Sequence, residues 1–458
     1  MSNCIIGLGK WSPFYINIIL AAIFKCLRDC LLNIAPDSNF GLLGFQPILS
    51  HHTIISNIYI YISYIIFGSL FFYILNKRSI GEKQQQKEKI EYLEQKHKSF
   101  IYYKKNVINI KKKLPIMLIS LIFVFHSDLI KALYLFGFSD FDIWTFDIIF
   151  ILFFMNKYFV VNIYKHQKFS LYFICIISTF LIFLSMFFSP NIEGNSFQAI
   201  YNLVGNIIFC FLIFLGFILI SFITAYGRVL TKVLMDLRFI SPYVIIICTG
   251  IFGFILNLLI LIPVSKVPCD SSNYNIFNKS CLVESKNGSY FDNIYIYFSN
   301  LNESLKGVEP QETGYTPKIK FYVEILVIVP LFLLFSYFEI YFGIKTINYL
   351  NPNYILIRDN LYYGLSRIVS FCINFKNSNI AQFFLLEFAE IAAILGYSVY
   401  LEIIELRFCG FDNKLKRKLA QIADLESQVD MINIEEKENS DDEDDKEDDN
   451  ENKPDSSL

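Results

Sequence analysis

Motifs that carry catalysis or hold a metal are missing from this sequence of 458 residues. It contains no GxSxG, HExxH or Walker A pattern, and it has only five histidines. The ten cysteines include no CxxC pair and no spacing typical of zinc ligands. The adjacent His51 and His52 have no carboxylate or cysteine at ligand spacing. We therefore expect a protein that is not an enzyme and that uses neither a metal nor a cofactor.

Long apolar runs, in contrast, are abundant. The sequence is 54% hydrophobic, and its mean hydropathy is +0.44. The uncharged stretch at 207–225, IIFCFLIFLGFILISFITA, is longer than the roughly 18 residues that indicate a transmembrane helix. The first residues, MSNCIIGLGKWSP, lack the order of a signal peptide, so we expect the first apolar helix to be retained. The composition predicts a membrane protein with many spans.

Each apolar run is predicted to be a helix, because backbone polar groups in lipid must bond within their own segment. The sequence predicts an all-α integral membrane protein with ten such spans. They cover 12–32, 53–75, 114–136, 142–163, 169–188, 199–226, 241–263, 321–345, 354–374 and 380–403.

Basic residues predict the orientation of these spans. Segment 77–113 contains 12 Lys or Arg against 4 Glu, whereas 33–52 and 189–198 contain no Lys or Arg. Cytoplasmic loops of membrane proteins are rich in Lys and Arg. The short turn that holds Arg228, Lys232 and Arg238 is predicted on the same side as 77–113. Both termini are therefore predicted to be cytoplasmic.

Segment 264–320 is predicted to be a lumenal loop. It holds all three N-x-S/T sequons of the chain, at Asn278, Asn287 and Asn302. Cys269 and Cys281 lie in the same segment, where an oxidising lumen would allow a disulfide between them. These features favour a glycoprotein of an internal membrane, in the Golgi, the endoplasmic reticulum or the endolysosomal system.

Ionisable side chains inside the predicted spans are the candidate functional residues, because such residues usually face a cavity or a bundle interior. Cations there would counter an anionic solute, and polar side chains would hydrogen-bond it. A structural ion pair between the ninth and tenth helices is the alternative for part of this set. The predicted solute-binding residues are Lys157, Asn206, Arg358, Tyr363, Arg367 and Glu387.

Four stretches resemble solute carrier family 35 of the drug/metabolite transporter superfamily. Residues 228–263, RVLTKVLMDLRFISPYVIIICTGIFGFILNLLILIP, resemble the start of its seventh helix, and HQKFSLYFI (166–174) resembles the start of its fifth. Residues 343–369, GIKTINYLNPNYILIRDNLYYGLSRIV, resemble its link into helix nine through an Arg…Asp segment. Residues 384–411, FLLEFAEIAAILGYSVYLEIIELRFCGF, resemble its last helix, with Gln382 at the family's glutamine position. The chain departs from the family at Tyr362, where a second Arg is frequent.

The resemblance implies a fold of two inverted five-helix halves around a central cavity. The halves would be 12–188, with the basic cytoplasmic loop 77–113, and 189–404, with the lumenal loop 264–320. Residues 1–11 would form the cytoplasmic N-terminus. Residues 405–458, which include DDEDDKEDD at 441–449, are predicted to be a disordered acidic cytoplasmic tail.

The function that the resemblance implies is secondary transport by alternating access. The solute would be a nucleotide sugar or a related small anion. The expected partners are this small molecule and the lipid bilayer, with no nucleic acid and with a homodimer left open. A membrane scaffold or receptor-like protein without transport is the alternative, and it would fill the cavity with Phe and Leu. A lipid-modifying enzyme would need an interfacial cluster of His and Asp that the sequence lacks.

Overall fold

The structure is a computed structural model that describes residues 6–8, 14–32, 48–78, 113–135, 147–159, 163–178, 180–181, 207–238, 240–266, 268–269, 283–285, 288–290, 292–306, 317–373 and 380–406. Most of these residues are helical, which agrees with the predicted all-α class. The helices over these ranges are α1 (Tyr15–Leu32), α2 (Thr53–Arg78), α3 (Lys113–Leu135), α4 (Asp147–Tyr158), α5 (Lys165–Phe173, continued by a π-helical turn at Ile174–Ser178), α6 (Ile207–Arg238), α7 (Pro242–Val264), α8 (Ile294–Lys306), α9 (Pro317–Val323, a π-helical turn at Glu324–Ile328, and Val329–Tyr349), α10 (Tyr354–Ile373) and α11 (Ile380–Tyr400).

Two small antiparallel sheets join segments outside the long helices. β1 (Ile6–Leu8) pairs with β5 (Ile404–Leu406). β4 (Gly288–Tyr290) lies between β2 (Pro268–Cys269) and β3 (Val283–Ser285). The first sheet therefore places the segment before α1 and the segment after α11 on the same side of the bundle.

Within the described ranges, five helices are long and apolar enough to cross a membrane. These are α2, α6, α7, α9 and α11, with spans at Thr53–Ile74, Ile218–Asp236, Pro242–Val264, Phe321–Tyr349 and Ile380–Tyr400. The protein is therefore embedded in a membrane, as the composition predicts. α1 and α10 have 18 and 20 residues, but each carries three charged side chains. The predicted spans 114–136, 142–163 and 169–188 lie partly outside the described residues.

The turn between α9 and α10 forms where the sequence predicts it. Pro352 follows α9, and proline cannot continue a helix because it lacks an N–H and clashes with the preceding turn. The Asn353 N–H donates to the Asn351 side-chain oxygen at 3.1 Å, which stabilises the bend. α10 then begins at Tyr354, the predicted residue.

The prediction of a turn around Arg228, Lys232 and Arg238 is wrong. α6 continues as a helix to Arg238, and the side chains of Arg228 and Lys232 are buried within the bundle. The physical reason is that both charges have partners. Arg228 pairs with two carboxylates, and Lys232 pairs with Asp236 at 3.1 Å. A charge that is compensated inside the bundle need not leave the helix for water.

Close helix contacts depend on small residues at two crossings. At the crossing of α2 and α7, Gly253 faces the Tyr61 ring so closely that a Cβ atom would overlap it. At the crossing of α5 and α11, the Ser170 hydroxyl donates to the Gly396 carbonyl, and a Cβ on Gly396 would overlap Ile174. Small residues at helix interfaces allow this approach in membrane proteins.

Other helices also pack against one another, and their contacts define the core of the bundle. α1 packs against α9 and α10, while α6 packs against α3 and α4. α2 packs against α9, and α7 packs against α3. Two apolar clusters of buried residues result, one centred on α2, α7 and α9, and the other on α4, α6, α10 and α11.

Buried carboxylates hold the start of α2 against the α8 and α9 segments. Asp292 accepts hydrogen bonds from the Ile54 N–H at 2.7 Å and the Ile55 N–H at 3.1 Å. Its other oxygen lies 2.6 Å from His52 Nδ1. Glu324 accepts from the backbone N–H of Leu49 at 3.0 Å. The Asp292 contacts bring 52–55 to segment 264–320, and segments 33–52 and 264–320 were both predicted on the lumenal side.

Candidate functional site

Charged side chains from five helices meet inside the bundle, and we call this set the central charge cluster. α1 and α10 contribute most of it, and α4, α6 and α9 contribute one residue each. Its members are Lys25, Arg28, Asp29, Asp147, Arg228, Glu339, Arg358 and Asp359. With every member ionised, four cations and four carboxylates leave the cluster without net charge.

Three members of the cluster lie well inside their helices, whereas Asp147 is the first residue of α4 and Arg358 and Asp359 lie near the start of α10. Lys25, Arg228 and Glu339 are each ten residues from one end of α1, α6 and α9 respectively. Contacts between the helix ends place these three ends on the same side of the bundle. Ten helical residues rise about 15 Å, which is half of the roughly 30 Å hydrocarbon core of a bilayer. Charges at this depth are costly unless they are paired or face a cavity.

Arg28 joins α1 to α9. Its Nε donates to Asp29 Oδ1 at 2.8 Å, and its Nη1 pairs with the Glu339 carboxylate. The Tyr362 hydroxyl on α10 donates to the second Asp29 oxygen at 2.5 Å. The phenol therefore supplies a neutral hydrogen-bond donor to this carboxylate.

Arg228 joins α4, α6 and α10. Its Nη1 donates to Asp147 Oδ2 at 3.2 Å, and its Nη2 donates to Asp359 Oδ2 at 2.8 Å. Arg358 forms two further hydrogen bonds with Asp359 Oδ1, at 2.9 and 2.5 Å. Asp359 is therefore held by two guanidinium groups, while Asp147 shares one.

Lys25 differs from the three arginines in its contacts. Its ammonium lies 3.9 Å from the centre of the Tyr362 ring and 5.3 Å from that of Tyr363. In the part of the chain that the structure describes, no carboxylate lies within ion-pair distance of this ammonium. Asp359 and Glu339 act on it only over a longer range. Lys25 is thus a partly buried cation whose direct contacts are the faces of two aromatic rings, a favourable but weaker partner than a carboxylate.

A polar pair borders the cluster on α3 and α6. The Thr224 hydroxyl lies 2.7 Å from His126 Nδ1. His126 also feels the charges of Arg228, Asp359 and Lys25. The imidazole is therefore a further titratable group beside the cluster.

The structure separates the residues that the sequence predicts for solute binding. Arg358 and Tyr363 lie in or beside the central charge cluster. Arg367 on α10 lies 3.5 Å from both Glu387 and Glu390 on α11. The ion pair that was the alternative for the predicted spans 354–374 and 380–403 is therefore formed.

Another predicted residue lies away from the cluster. The Lys157 side chain is exposed, and its ammonium lies 5.8 Å from the Tyr158 ring centre. Asn206 lies outside the described residues.

Sequence reasoning did not select Lys25, Arg28, Asp29 or Arg228. The three charges on α1 were a signal for the cluster, because charged residues within a span usually face the interior. The charge of Arg228 instead favoured a cytoplasmic turn.

The other predicted sites lie near the second sheet and α8. Asn302 is exposed on α8, and Cys269 lies in β2. Asn278, Asn287 and Cys281 lie outside the described residues. In the same segment, burial raises the pKa of Tyr297, whose hydroxyl lies 3.2 Å from that of Tyr59. For metals, the described residues contain no group of three or more His, Cys, Asp or Glu side chains that could hold an ion.

No family model matches this chain. A search of curated proteins also finds no match.

Proposed function

We propose that this protein is a secondary transporter that moves a small anionic solute, a nucleotide sugar or a related metabolite, across an internal membrane by alternating access. The observation that carries the proposal is Lys25, a cation at half the depth of the bundle without a carboxylate partner among the described residues. An anion that reaches Lys25 would gain an ion pair that the protein itself does not form there.

The helix contacts support a fold of two inverted five-helix halves. If α1–α5 form the first half, then α6, α7, α9, α10 and α11 form the second in the same order. The counterparts are then α1 and α6, α2 and α7, α3 and α9, α4 and α10, and α5 and α11. α1 contacts α9 and α10, and its counterpart α6 contacts their counterparts α3 and α4. The contact of α2 with α9 becomes that of α7 with α3, which also occurs. Contacts of α2 with α7 and of α5 with α11 map onto themselves.

The location of the cluster fits transport between such halves. Lys25, Arg28, Asp29 and Asp147 belong to the first half, while Arg228, Glu339, Arg358 and Asp359 belong to the second. Arg28 and Arg228 each bind carboxylates from the opposite half. In carriers built from inverted repeats, the solute binds near the midplane between the halves. Rocking of the halves would exchange these ion pairs for contacts with the solute.

β1 precedes α1 and β5 follows α11, and the two strands pair on one side of the bundle. This pairing supports an even number of membrane spans between β1 and β5. The basic segment 77–113 favours the cytosol as that side. Ten spans with both termini in the cytoplasm satisfy both observations. The sequons in 264–320 favour a protein of the secretory system, in keeping with the proposed internal membrane.

The proposal is tested with purified full-length protein in proteoliposomes, using a panel of radiolabelled nucleotide sugars and other small anions. We expect saturable uptake of at least one probe. Lys25→Gln should raise its half-saturating concentration about 10- to 100-fold, because a charge-assisted hydrogen bond contributes roughly 1.5–3 kcal/mol. Lys345→Gln is the matched control, since Lys345 lies outside the cluster and contacts the Tyr341 ring at 4.5 Å.

Two outcomes would contradict the proposal at different points. Absence of uptake of every probe by folded wild-type protein would favour the scaffold class over a carrier. Equal uptake by Lys25→Gln and wild-type protein would leave transport intact but remove Lys25 from the solute site.

A further inference from the structure

Asp147 is the most weakly held carboxylate of the central charge cluster. Its side chain is fully buried, with 0% exposure. Oδ2 accepts one hydrogen bond from Arg228 at 3.2 Å, and Ser221 lies beside the carboxyl group. Oδ1 meets no hydrogen-bond donor among the residues that the structure describes. A buried oxygen of this kind has room for a proton that a fully bonded carboxylate lacks.

The other carboxylates of the cluster have stronger partners. Asp29 accepts from Arg28 at 2.8 Å and from the Tyr362 hydroxyl at 2.5 Å. Asp359 accepts from Arg228 and twice from Arg358, and Glu339 pairs with Arg28. Multiple donors favour the ionised form of a carboxylate. Glu339, like Asp147, has one arginine partner. Among the described residues of the cluster, however, Asp147 alone has a buried carboxylate oxygen without a hydrogen-bond donor, so it is the one whose contacts allow a proton.

The charge balance gives such a proton a function. The eight charges of the cluster cancel when all are ionised, so an anion bound at Lys25 would leave a net charge of −1 at the middle of the membrane. A proton on one carboxylate would restore neutrality. An uncompensated charge at this depth is strongly disfavoured. The anion is therefore expected to bind together with a proton.

We propose that Asp147 is the proton-binding site of the carrier and that one proton crosses the membrane together with each solute anion. The inference rests on the transport function proposed above and adds the coupling ion. The step is a simple transfer: water on one side donates a proton to the Asp147 carboxylate, and the neutral carboxyl group releases it on the other side.

Other charged and polar groups lie close to Asp147, and one of them could bind the proton in its place. α6 brings Arg228 and Ser221 to it, and α10 brings Asp359. His126 on α3 lies beside the same Arg228 and is the alternative proton acceptor. A measurement that distinguishes a carboxyl group from an imidazole is therefore required.

Infrared difference spectroscopy makes this distinction, because a protonated carboxyl group has its own carbonyl-stretch band. Full-length protein in liposomes would be titrated between about pH 5 and pH 8 without any solute. We expect a band that grows as the pH falls in wild-type protein and that is lost in Asp147→Asn. The matched control is Asp29→Asn, an equal change within the cluster at a carboxylate with two donors, and it should keep the band.

Transport supplies the second measurement, with the radiolabelled anion that the uptake screen selects. Uptake by wild-type protein should rise as the external pH falls, by up to about tenfold per pH unit, because the protonated form is the one that accepts the anion. Uptake by Asp147→Asn, whatever its rate, should not depend on pH, since the amide is permanently neutral. A purely structural role of Asp147 would change the rate without removing this dependence.

The outcomes separate the two proposals. A wild-type protein without a titrating carboxyl band, or a band that persists in Asp147→Asn, overturns the proton site whether or not transport occurs. A titrating band that depends on Asp147, combined with no uptake of any probe, instead overturns the proposed transport. Equal uptake with and without a pH gradient would show that the anion moves without a proton.

Discussion

Replacing Arg228 with Met tests whether the central charge cluster holds α4, α6 and α10 together. Methionine is a long, flexible apolar side chain that can occupy much of the space of the arginine stem. The guanidinium would be lost, and with it the contacts to Asp147 at 3.2 Å and Asp359 at 2.8 Å. Asp359 would keep Arg358, while Asp147 would have no cation within ion-pair distance among the described residues.

The expected loss of stability follows from this asymmetry. Removing one partner of a buried ion pair destabilises a protein by about 3–5 kcal/mol, because the other charge stays buried without compensation. This corresponds to a change of roughly a hundred- to several-thousand-fold in the ratio of folded to unfolded protein. Combining Arg228→Met with Asp147→Asn removes the orphaned charge. The double variant should therefore be more stable than Arg228→Met alone, by about 1–3 kcal/mol.

The assay is equilibrium unfolding in mixed micelles of a mild detergent and sodium dodecyl sulfate, with secondary structure followed by circular dichroism. Lys345→Met is the control, because this lysine contacts the Tyr341 ring and a cation–π contact contributes about 0.5–1 kcal/mol. If Arg228→Met unfolds at the same detergent composition as the Lys345→Met control, the cluster does not hold the bundle together. If the free-energy losses of Arg228→Met and Asp147→Asn simply add, the two residues do not interact.

Three further predictions concern other parts of the molecule. Gly253→Ala should destabilise the protein by about 1–3 kcal/mol in the same assay, because the added Cβ would overlap the Tyr61 ring at the α2–α7 crossing. Gly216→Ala is the control and should have no such effect, because no atom lies near its added Cβ. Glu324→Gln should cost about 1–3 kcal/mol, because an amide offers one acceptor oxygen to two backbone N–H groups, at 3.2 and 3.0 Å; unchanged unfolding would show that these bonds are dispensable. Glycosidase treatment should increase the electrophoretic mobility of wild-type protein from eukaryotic cells. A variant without the three sequons should show no such change. Equal behaviour of the wild-type protein and this variant would place 264–320 away from the lumen. The three sequon residues are Asn278, Asn287 and Asn302.

Local sequence patterns were sufficient to predict the membrane character and many helix positions. Apolarity along one run of residues decides whether a helix is stable in lipid, so composition alone indicates the class. The start of α10 at Tyr354 was predictable because Pro352 acts through its own backbone. The shared side of 33–52 and 264–320 was also predictable, since their charge composition and sequons depend on no distant contact.

The partners of the charged residues were not predictable in the same way. Arg28 and Glu339 are 311 residues apart in the sequence, and no local pattern indicates that they meet. Arg228 was assigned to a turn because a lone cation favours water; two carboxylates from α4 and α10 keep it inside the bundle instead. For Arg367 the sequence left two roles open, a solute-binding cation and an ion pair with the following span; the structure forms the pair, with Glu387 and Glu390.

The sequence by itself therefore determined that this chain is a helical membrane protein and which residues are charged within its helices. Only the tertiary structure decided which of these charges neutralise one another, because that depends on distances between helices far apart in the chain. It also singled out Lys25, whose contacts are two aromatic ring faces, and Asp147, whose carboxylate shares a single arginine. In a low-dielectric interior a charge is stable only with a partner, so incomplete pairing at these two residues is where a solute anion and a proton are expected to bind.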